Sequence, residues 1–451
     1  MAIKGFDRET FSSTLHSLLS ASQPIDDPQR LKSRDREVDD LIMALEAPGR
    51  HAFIYGDRGV GKSSLAQTVA TLVQSSDNAP IITSCDSKST MLGVIQTVIA
   101  QAEQSIRDES KESSISLKLP MFEYKTNTTR NVQYTQVNDM HSAVTALCQL
   151  SQSHSDKPVV VIDEFDTISS LEEREQFSTL LKHLGDRKAK VKLIFTGIGE
   201  SLNDLLCGHV SSARQLHQEK LCVLPWDGRY DIIENAFETF NIKLPDDIQY
   251  KIAGLSDGFP SYVHLICEKI LVECYRPDEL IDTVDFPLFL RALNEAVRSV
   301  VETLRHDYDK ATLGKPEHFY HILWAMADSA DLIRNTEHIV HSYSGICDQL
   351  EIDALETKKF KTEFAKLRKE THGSIIVRGL GGRPGWFRFK ENMVRGFVRM
   401  CAELNEVELD FDRNFTAGVQ TAKASHKSRV YQPLTPTESR VERLRKNTRG
   451  K

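Results

Sequence analysis

Residues 56–64 read GDRGVGKSS and follow the apolar run HAFIY at residues 51–55. The stretch fits the pattern G-x-x-x-x-G-K-[ST] and stands between a predicted strand and a predicted helix. Its glycines permit backbone conformations in which successive N–H groups point inward, and the helix that begins near Lys62 presents the positive end of its dipole. The stretch therefore predicts a loop that holds nucleotide phosphates rather than a flexible turn. The predicted phosphate-binding residues are Gly56, Asp57, Arg58, Gly59, Val60, Gly61, Lys62, Ser63 and Ser64.

A second motif, VVVIDEFD at residues 159–166, supplies the acids that a phosphate loop requires. Its apolar residues predict a buried strand that ends in Asp163 and Glu164. Asp163 is the candidate ligand of Mg²⁺ through its water shell, and Glu164 is the candidate for polarising the water that attacks ATP. In the loop, Lys62 would reach the β- and γ-phosphates, and the Ser63 hydroxyl would ligate the metal. ATP and Mg²⁺ are thus the predicted cofactors.

The next strand pattern, VKLIFTGIG at residues 191–199, contains Thr196 near its end. A polar residue at the tip of a strand beside the acids could sense the γ-phosphate, although a solvated strand end fits the position nearly as well. Asp166, three residues after Asp163, is expected to support the acids or to cap a helix.

Strand and helix patterns alternate from residue 51 to residue 199, which is typical of βαβ units around a parallel sheet with helices on both faces. Residues 113–138 interrupt the alternation and are interpreted as a surface insertion. The predicted fold class is α/β, a P-loop NTPase sheet followed by an all-helical lid and a winged-helix domain. The predicted segments are an N-terminal tail or short helix at 1–24, the P-loop domain at 25–225, the lid at 226–301, the winged helix at 313–405 and a basic disordered tail at 406–451.

Composition excludes several classes of protein. The 451 residues are 40% hydrophobic, enough for two or three domains with cores of their own. The net charge of −7 argues against a polycation, so any contact with nucleic acid needs a local patch. Eight scattered cysteines form no CxxC pair and predict buried free thiols in a reducing compartment. Because the sequence has no signal core and no run of about 20 apolar residues, we expect a cytoplasmic protein without a membrane partner.

The succession of GDRGVGKSS, VVVIDEFD and IFTG, followed by a helical lid and a winged helix, resembles the AAA+ ATPases. The resemblance runs from about residue 25 to about residue 400 and is closest to the origin-recognition/initiator-like branch and the STAND-type ATPases. The segment LKSRDREVDDLIMAL at residues 31–45 is similar to the one before the P-loop strand in those families. There, an Arg and a Glu spaced as Arg34 and Glu37 flank a helix that closes over the adenine. By its charges alone, the segment fits a salt-bridged surface helix equally well.

The sequence departs from the AAA+ pattern at positions that matter for hydrolysis. AAA+ proteins often carry Asn where Thr196 stands, and the initiator branch has a lid arginine that residues 256–269, SDGFPSYVHLICEK, lack. Residues 258–260 look more like the glycine-x-proline turn of STAND ATPases, which implies that Pro260 packs against the base. A plain helix-breaking turn is the alternative. Arg214 stands where the family places an arginine finger that reaches a neighbour's nucleotide, or else it is a surface arginine.

The helix pattern TKKFKTEFAKLRKE at residues 357–370 places Phe360, Phe364 and Leu367 on one face. The basic residues would then point outward, as in a helix that enters the major groove of DNA. The glutamates between them also fit a protein-docking, autoinhibitory or purely structural helix. The outward basic residues are Lys358, Lys359, Lys361, Lys366, Arg368 and Lys369, and the wing adds Arg378, Arg383, Arg388 and Lys390. From residue 421 onward, nine basic residues stand against two acidic ones, which favours weak binding of polyanions.

The sequence leaves two functions open. In one, the protein is an ATPase switch that assembles with other copies of itself on double-stranded DNA, with ATP at the subunit interfaces. In the other, it is a STAND-like signalling or defence ATPase that acts on a protein partner without nucleic acid. STAND proteins normally append long sensor repeats, and only a short tail follows the predicted winged helix here. We therefore expect the first function.

Overall fold

A computed structural model describes residues 3, 5–20, 23–25, 30–74, 78–112, 134–198, 214–277, 280–379 and 384–413. Contacts within the chain divide it into two units. The sheet unit is Ser22–Asp231, and the helical unit combines Met1–Ala21 with Ile232–Lys451. Among the described residues, no helix is both long and apolar enough to cross a membrane.

A five-stranded parallel sheet forms the centre of the sheet unit. Its strands are β1 (His51–Tyr55), β2 (Ile81–Ser84), β3 (Val159–Asp163), β4 (Lys192–Gly197) and β5 (Leu216–Lys220). They lie in the order β2-β3-β4-β1-β5. All residues of β3 and β4 are buried, which explains their nearly continuous apolar sequence. Because the strands are parallel, their carboxyl ends meet at one edge, where the end of β4 lies between the loops after β1 and β3.

The helices up to the end of the sheet unit are α1 (Arg8–Leu18), α2 (Asp35–Glu46), α3 (Lys62–Val73), α4 (Met91–Glu112), α5 (Met140–Ser153) and α6 (Leu171–Asp186). A short 3₁₀ helix, Phe165–Thr167, follows β3. Helix α3 packs on β3 and β4, and α4 packs on β2. The predicted alternation of strands and helices is confirmed, although α5 and β5 were not among the elements that the pattern indicated. Helix α1 belongs to the helical unit.

The helical unit continues from α7 (Trp226–Thr239), which carries the chain out of the sheet unit. Its further helices are α8 (Asp246–Leu255), α9 (Pro260–Tyr275), α10 (Phe286–Ser299), α11 (Glu302–Thr312), α12 (His318–Ala327), α13 (Thr336–Gln349), α14 (Thr357–Lys366) and α15 (Met393–Leu404). Strands β6 (Arg334–Asn335), β7 (Ile376–Arg378) and β8 (Trp386–Phe389) form an antiparallel sheet in the order β6-β8-β7. The element order after α11 is compatible with a winged helix, and that assignment stays a prediction.

The N-terminal segment does not lead into the sheet unit as a tail. Phe11 of α1 stacks on Tyr275 with ring centroids 4.1 Å apart, and Phe6 packs on Phe240 at 4.9 Å. Apolar residues of α1 are thus buried in the helical unit, which accounts for the grouping of residues 1–21 with that unit.

Two predicted boundaries also need correction. The basic tail does not begin at residue 406, because Val407 and Phe411 are buried and Arg413 pairs with Asp328 at 2.7 Å. The surface insertion does not extend to residue 138, because Tyr134 and Val137 are buried in the core of the sheet unit. The rest of the insertion, residues 113–133, and the tail from residue 414 onward lie outside the described residues.

Candidate functional site

The phosphate loop runs from the end of β1 to the start of α3. Gly59 and Gly61 have φ values of +79° and +97°, in the left-handed region that favours glycine. Gly61 precedes the first turn of α3, and its carbonyl accepts the N–H of Leu65 at 3.0 Å. A Cβ at Gly56 would overlap the carbonyl oxygen of Leu221, so the loop lies directly against the chain that leaves β5. Backbone conformation therefore requires glycine at two positions of the motif, and close approach requires it at a third.

The ammonium group of Lys62 lies within this loop. Its Nζ donates to the carbonyl oxygens of Gly56 at 3.1 Å and Asp57 at 2.7 Å. Burial lowers the pKa of Lys62, while the negative charge of nearby carboxylates, Asp166 foremost, opposes that shift. The loop thus holds a partly desolvated lysine at a helix N-terminus, an arrangement that suits phosphate oxygens.

The two serines of the motif have different roles. Oγ of Ser64 accepts the backbone N–H of Ile25 at 3.0 Å, and Oγ1 of Thr68 donates to the carbonyl of Ile25 at 3.3 Å. The hydroxyl of Ser63, by contrast, makes no hydrogen bond to any residue in the described part of the chain. Ser63 is therefore the hydroxyl that could bind a metal ion. Together with the carboxylate of Asp163, it provides the hard oxygen ligands that Mg²⁺ prefers, so these residues fit the metal that the fold implies.

Asp163, Glu164 and Thr196 meet at the carboxyl edge of the sheet. Ile162 pairs with Phe195 in the parallel register, so Asp163, the last residue of β3, lies beside Thr196 of β4. The hydroxyl of Thr196 donates to the carboxylate of Asp163, and both residues are buried. The N–H of Glu164 is shared between Oδ1 of Asp163 at 3.0 Å and Oγ1 of Thr196 at 3.2 Å, while Glu164 itself is exposed. Thr196 thus bonds the carboxylate of Asp163 and the main chain of Glu164, and its role as a γ-phosphate sensor stays a prediction.

Arg34 connects the phosphate loop to the segment after β5. Its side chain is buried, and Nη1 donates to Oε1 of Glu37 at 2.9 Å. Nη2 donates to the carbonyl oxygens of Cys222 at 2.5 Å and Val60 at 3.4 Å. Helix α2 does carry an exposed ion pair, between Arg36 and Asp40 at 3.6 Å, as expected of a salt-bridged surface helix. The guanidinium of Arg34 differs from it, because a buried guanidinium needs a counter-charge and several acceptors. The carbonyl partners could not be found from sequence, because backbone acceptors leave no signal in residue identity.

Arg214 is exposed and lies two residues before β5, at the amino edge of the sheet. The N–H of His51, the first residue of β1, donates to the carbonyl of Gln215 at 2.8 Å. Since the phosphate loop leaves the opposite end of β1, the fold does not bring Arg214 to the phosphate loop of its own chain. A role as a finger for a neighbour's nucleotide stays a prediction.

Pro260 lies in the helical unit, where it begins α9 after the turn of Gly258, with φ of +77°, and buried Phe259. Asp257, just before this turn, accepts from Nε of Arg395 at 2.6 Å and Nη2 at 2.5 Å, and it pairs with Arg399 at 3.0 Å. All three charged side chains are buried. The turn is thus fixed to α15 by a buried ionic cluster, and contact of Pro260 with a base stays a prediction.

A basic groove of about 540 Å³ follows α14. The three apolar residues predicted to face the core are buried. Lys366 is bonded to both carboxylate oxygens of Glu363 at 2.8 and 2.7 Å, and this contact lowers the pKa of Glu363. The groove is lined by Lys358, Lys361, Thr362, Ala365, Lys366 and Lys369. Apart from Lys366, the lysines of the groove are exposed and form no ion pair with any described residue. They are Lys358, Lys361 and Lys369.

In the predicted wing, two of the basic side chains already have partners within the chain. Lys390 pairs with Asp307 at 3.1 Å, and Arg388 donates to the carbonyls of Phe389 and Lys390 at 3.3 Å. Arg378 is exposed, whereas Arg383 lies outside the described residues. Lys359 of α14 and Arg368, two residues beyond this helix, are exposed as predicted.

A known protein family matches most of the sheet unit. Residues 30–195 match the AAA ATPase domain family. A search of curated proteins finds no match. A Walker-type ATPase of Pyrococcus abyssi has a similar fold, with 17% identity and a TM-score of 0.50 over 84% of this chain and 98% of that chain.

Two further structures align less closely. The Orc1 protein of Aeropyrum pernix, solved in complex with DNA, has 16% identity and a TM-score of 0.42 over 84% of this chain and 95% of its own. Cdc6p from Pyrobaculum aerophilum has 14% identity and a TM-score of 0.43 over 87% and 98%.

Proposed function

We propose that the protein is a molecular switch that hydrolyses ATP to ADP and phosphate and assembles with other copies of itself on DNA. The observation that carries the ATPase part is the meeting of the phosphate loop, Asp163, Glu164 and Thr196 at one edge of a parallel sheet. Ligands of open α/β sheets bind at this carboxyl edge.

Each residue has a distinct part in the proposed reaction. The Lys62 ammonium exchanges its two carbonyl partners for phosphate oxygens, and N–H groups of the loop surround the same charge. Ser63 and Asp163 would hold Mg²⁺, which neutralises charge that develops on the phosphates. Glu164 accepts a proton from the attacking water, and Thr196 keeps Asp163 in place.

Assembly would complete the site. Arg214 is exposed at the edge opposite its own phosphate loop, so it is suited to a neighbour's nucleotide and not to its own. An arginine supplied from another subunit stabilises charge in the transition state of phosphoryl transfer. We therefore expect slow hydrolysis by isolated chains and faster hydrolysis in the assembly.

The DNA part of the proposal rests on the groove along α14. Three exposed lysines without an ion partner among the described residues line it, together with the small side chains of Thr362 and Ala365. A concave stripe of this kind allows a phosphate backbone to approach several ammonium groups at once. The order of elements around α14 is compatible with a winged helix, a fold in which such a helix can read DNA.

The ATPase part is tested with two variants and a control. Lys62→Ala should abolish ATP binding in calorimetry, whereas Lys88→Ala, which removes an exposed lysine elsewhere in the sheet unit, should leave it unchanged. Glu164→Gln should keep ATP bound while phosphate release nearly stops, because an amide cannot accept the proton. Equal affinity of wild type and Lys62→Ala would refute the site.

The DNA part is tested by titrating duplex DNA with ATP present at two salt concentrations. Replacing Lys358, Lys361 and Lys369 with Ala should weaken binding and reduce the salt slope by up to about one log unit for each DNA phosphate that is no longer neutralised. The matched control replaces three exposed lysines of the sheet unit, Lys182, Lys188 and Lys190. If the full-length protein binds neither duplex nor single-stranded DNA at about 50 mM salt, a signalling ATPase with a protein partner becomes the better interpretation.

A further inference from the structure

Glu164 has an unusual backbone conformation for a residue with a side chain. Its φ of +54° and ψ of +37° lie in the left-handed region. Residues other than glycine adopt this region uncommonly, and strained backbone conformations cluster at functional sites. In this conformation the side chain of Glu164 is exposed, although Asp163 before it and Phe165 after it are both buried.

Hydrogen bonds fix the peptide groups on both sides of Glu164. Its N–H is bonded to Asp163 and Thr196. Its carbonyl oxygen accepts two hydrogen bonds from one residue, from the N–H of Thr167 at 3.0 Å and from Oγ1 of Thr167 at 2.7 Å. The threonine hydroxyl thus closes the turn in the same way as a backbone donor.

The far end of the turn is bonded to two neighbouring elements. Arg174 of α6 donates from Nη2 to the carbonyl of Asp166 at 3.0 Å and from Nε to the carbonyl of Ile168 at 2.8 Å. Oδ1 of Asp166 accepts the N–H of Ile198, just beyond β4, at 2.7 Å. One rigid guanidinium therefore spans two carbonyls of the turn.

An aromatic anchor completes the arrangement. The ring of Phe165 is fully buried and packs edge-on against Phe177 and Phe195, with centroids 5.1 and 5.2 Å away. With Phe165 fixed in the core and both neighbouring peptides bonded, the backbone of Glu164 has little freedom left. Only rotation within its side chain can move the carboxylate.

We propose that Thr167 and Arg174 are positioning residues for ATP hydrolysis, which hold the Glu164 backbone in its left-handed conformation so that its carboxylate stays at the exposed sheet edge. The inference rests on the proposed role of Glu164. Without the Thr167 hydroxyl, the turn can relax toward a right-handed conformation, which swings the carboxylate away from the attacking water. Nucleotide binding, which depends on the phosphate loop, is not altered by this change.

The test compares Thr167→Val, Thr167→Ser and Thr179→Val in steady-state ATP hydrolysis and in calorimetric ATP binding. Thr167→Val should lower kcat about tenfold or more and leave the affinity for ATP within about twofold, because displacement of a catalytic group affects the chemical step. Thr167→Ser keeps the hydroxyl and should restore the rate. Thr179 is an exposed threonine of α6 whose hydroxyl also donates to a backbone carbonyl, at 3.2 Å, so Thr179→Val is the matched control.

A double-mutant cycle assigns the effect to Glu164. In the Glu164→Gln background, Thr167→Val and Arg174→Gln should cause no further loss of rate, since the group that they position is already inactive. If Thr167→Val hydrolyses ATP at the wild-type rate, or loses thermal stability without losing rate, the positioning role is refuted. If Glu164→Gln itself hydrolyses ATP like the wild type, the catalytic role of Glu164 fails instead, and the two failures are thereby separated.

Discussion

Asp257→Asn tests the buried ionic cluster that fixes the turn before α9 to α15. The substitution keeps the shape of the side chain and removes its negative charge, so Arg395 and Arg399 stay buried without their common counter-charge. Breaking one side of a buried ion pair costs about 3–5 kcal/mol. Both arginines retain carbonyl partners, among them the carbonyl oxygen of Ser329. We therefore expect the lower end of that range, a loss of about 3 kcal/mol in the free energy of unfolding of the helical unit.

The assay is urea denaturation together with calorimetric melting. A loss of about 3 kcal/mol corresponds to about 6–12 °C in Tm for a unit of this size. ATP with Mg²⁺ should raise the melting temperature of the sheet unit, because a ligand stabilises the part that binds it. The transition that does not shift is then assigned to the helical unit. Glu295→Gln is the control, because it breaks the exposed pair of Glu295 with Arg298 and should cost less than about 1 kcal/mol. If Asp257→Asn costs no more than Glu295→Gln, the cluster does not hold the turn.

Two further predictions concern the sheet unit. Arg34→Met leaves the carbonyls of Val60 and Cys222 without their donor. It should lower the free energy of unfolding, measured by urea denaturation, by about 2–4 kcal/mol. The control Arg36→Met, at an exposed arginine, should change it by less than about 0.5 kcal/mol. Burial, and next the charge of Lys192, lower the pKa of His51 to about 3 in the native state, whereas its pKa in the unfolded chain is near 6.5. Between these two pH values, the unfolded chain takes up a proton at His51 and the native state does not. The contribution of His51 to the free energy of unfolding is complete above pH 6.5. It is lost as pH falls from 6.5 toward 3, by up to about 1.4 kcal/mol per pH unit. His51→Asn should flatten the pH dependence over that range, and an unchanged slope in denaturation at several pH values would contradict the assignment.

Short-range patterns allowed the centre of the sheet unit to be predicted. The apolar runs of β1, β3 and β4 are buried on both faces and therefore read as strands, and the spacing of glycines identified the loop that two positive φ values now explain. Edge strand β5 escaped detection because LHQEK contains a single apolar residue, Leu216. Helix α5 was missed beside the segment that was interpreted as a surface insertion, although Val144, Leu147 and Leu150 recur at helical spacing and are buried.

Long-range relations were beyond the reach of sequence patterns. Glu164 could be named as a candidate base, but its left-handed conformation depends on hydrogen bonds to Thr196 of another strand and to a nearby turn residue. The resemblance to the AAA+ ATPases singled out Arg34 and Glu37, but it gave no sign that Arg34 is buried against two backbone carbonyls. In both cases the deciding partners are main-chain atoms or distant residues, which composition and periodicity do not encode.

The membership of α1 in the helical unit has a consequence for the order of events during synthesis. Phe11 is made more than 200 residues before its stacking partner Tyr275 and the neighbouring Phe240. At about 5–20 residues per second, α1 waits on the order of 10–50 s with its apolar face uncovered. The sheet unit, whose residues are contiguous, can complete its core within that interval. Nascent chains of this protein thus pass through a stage in which an amphipathic N-terminal helix is available to chaperones before the helical unit closes over it.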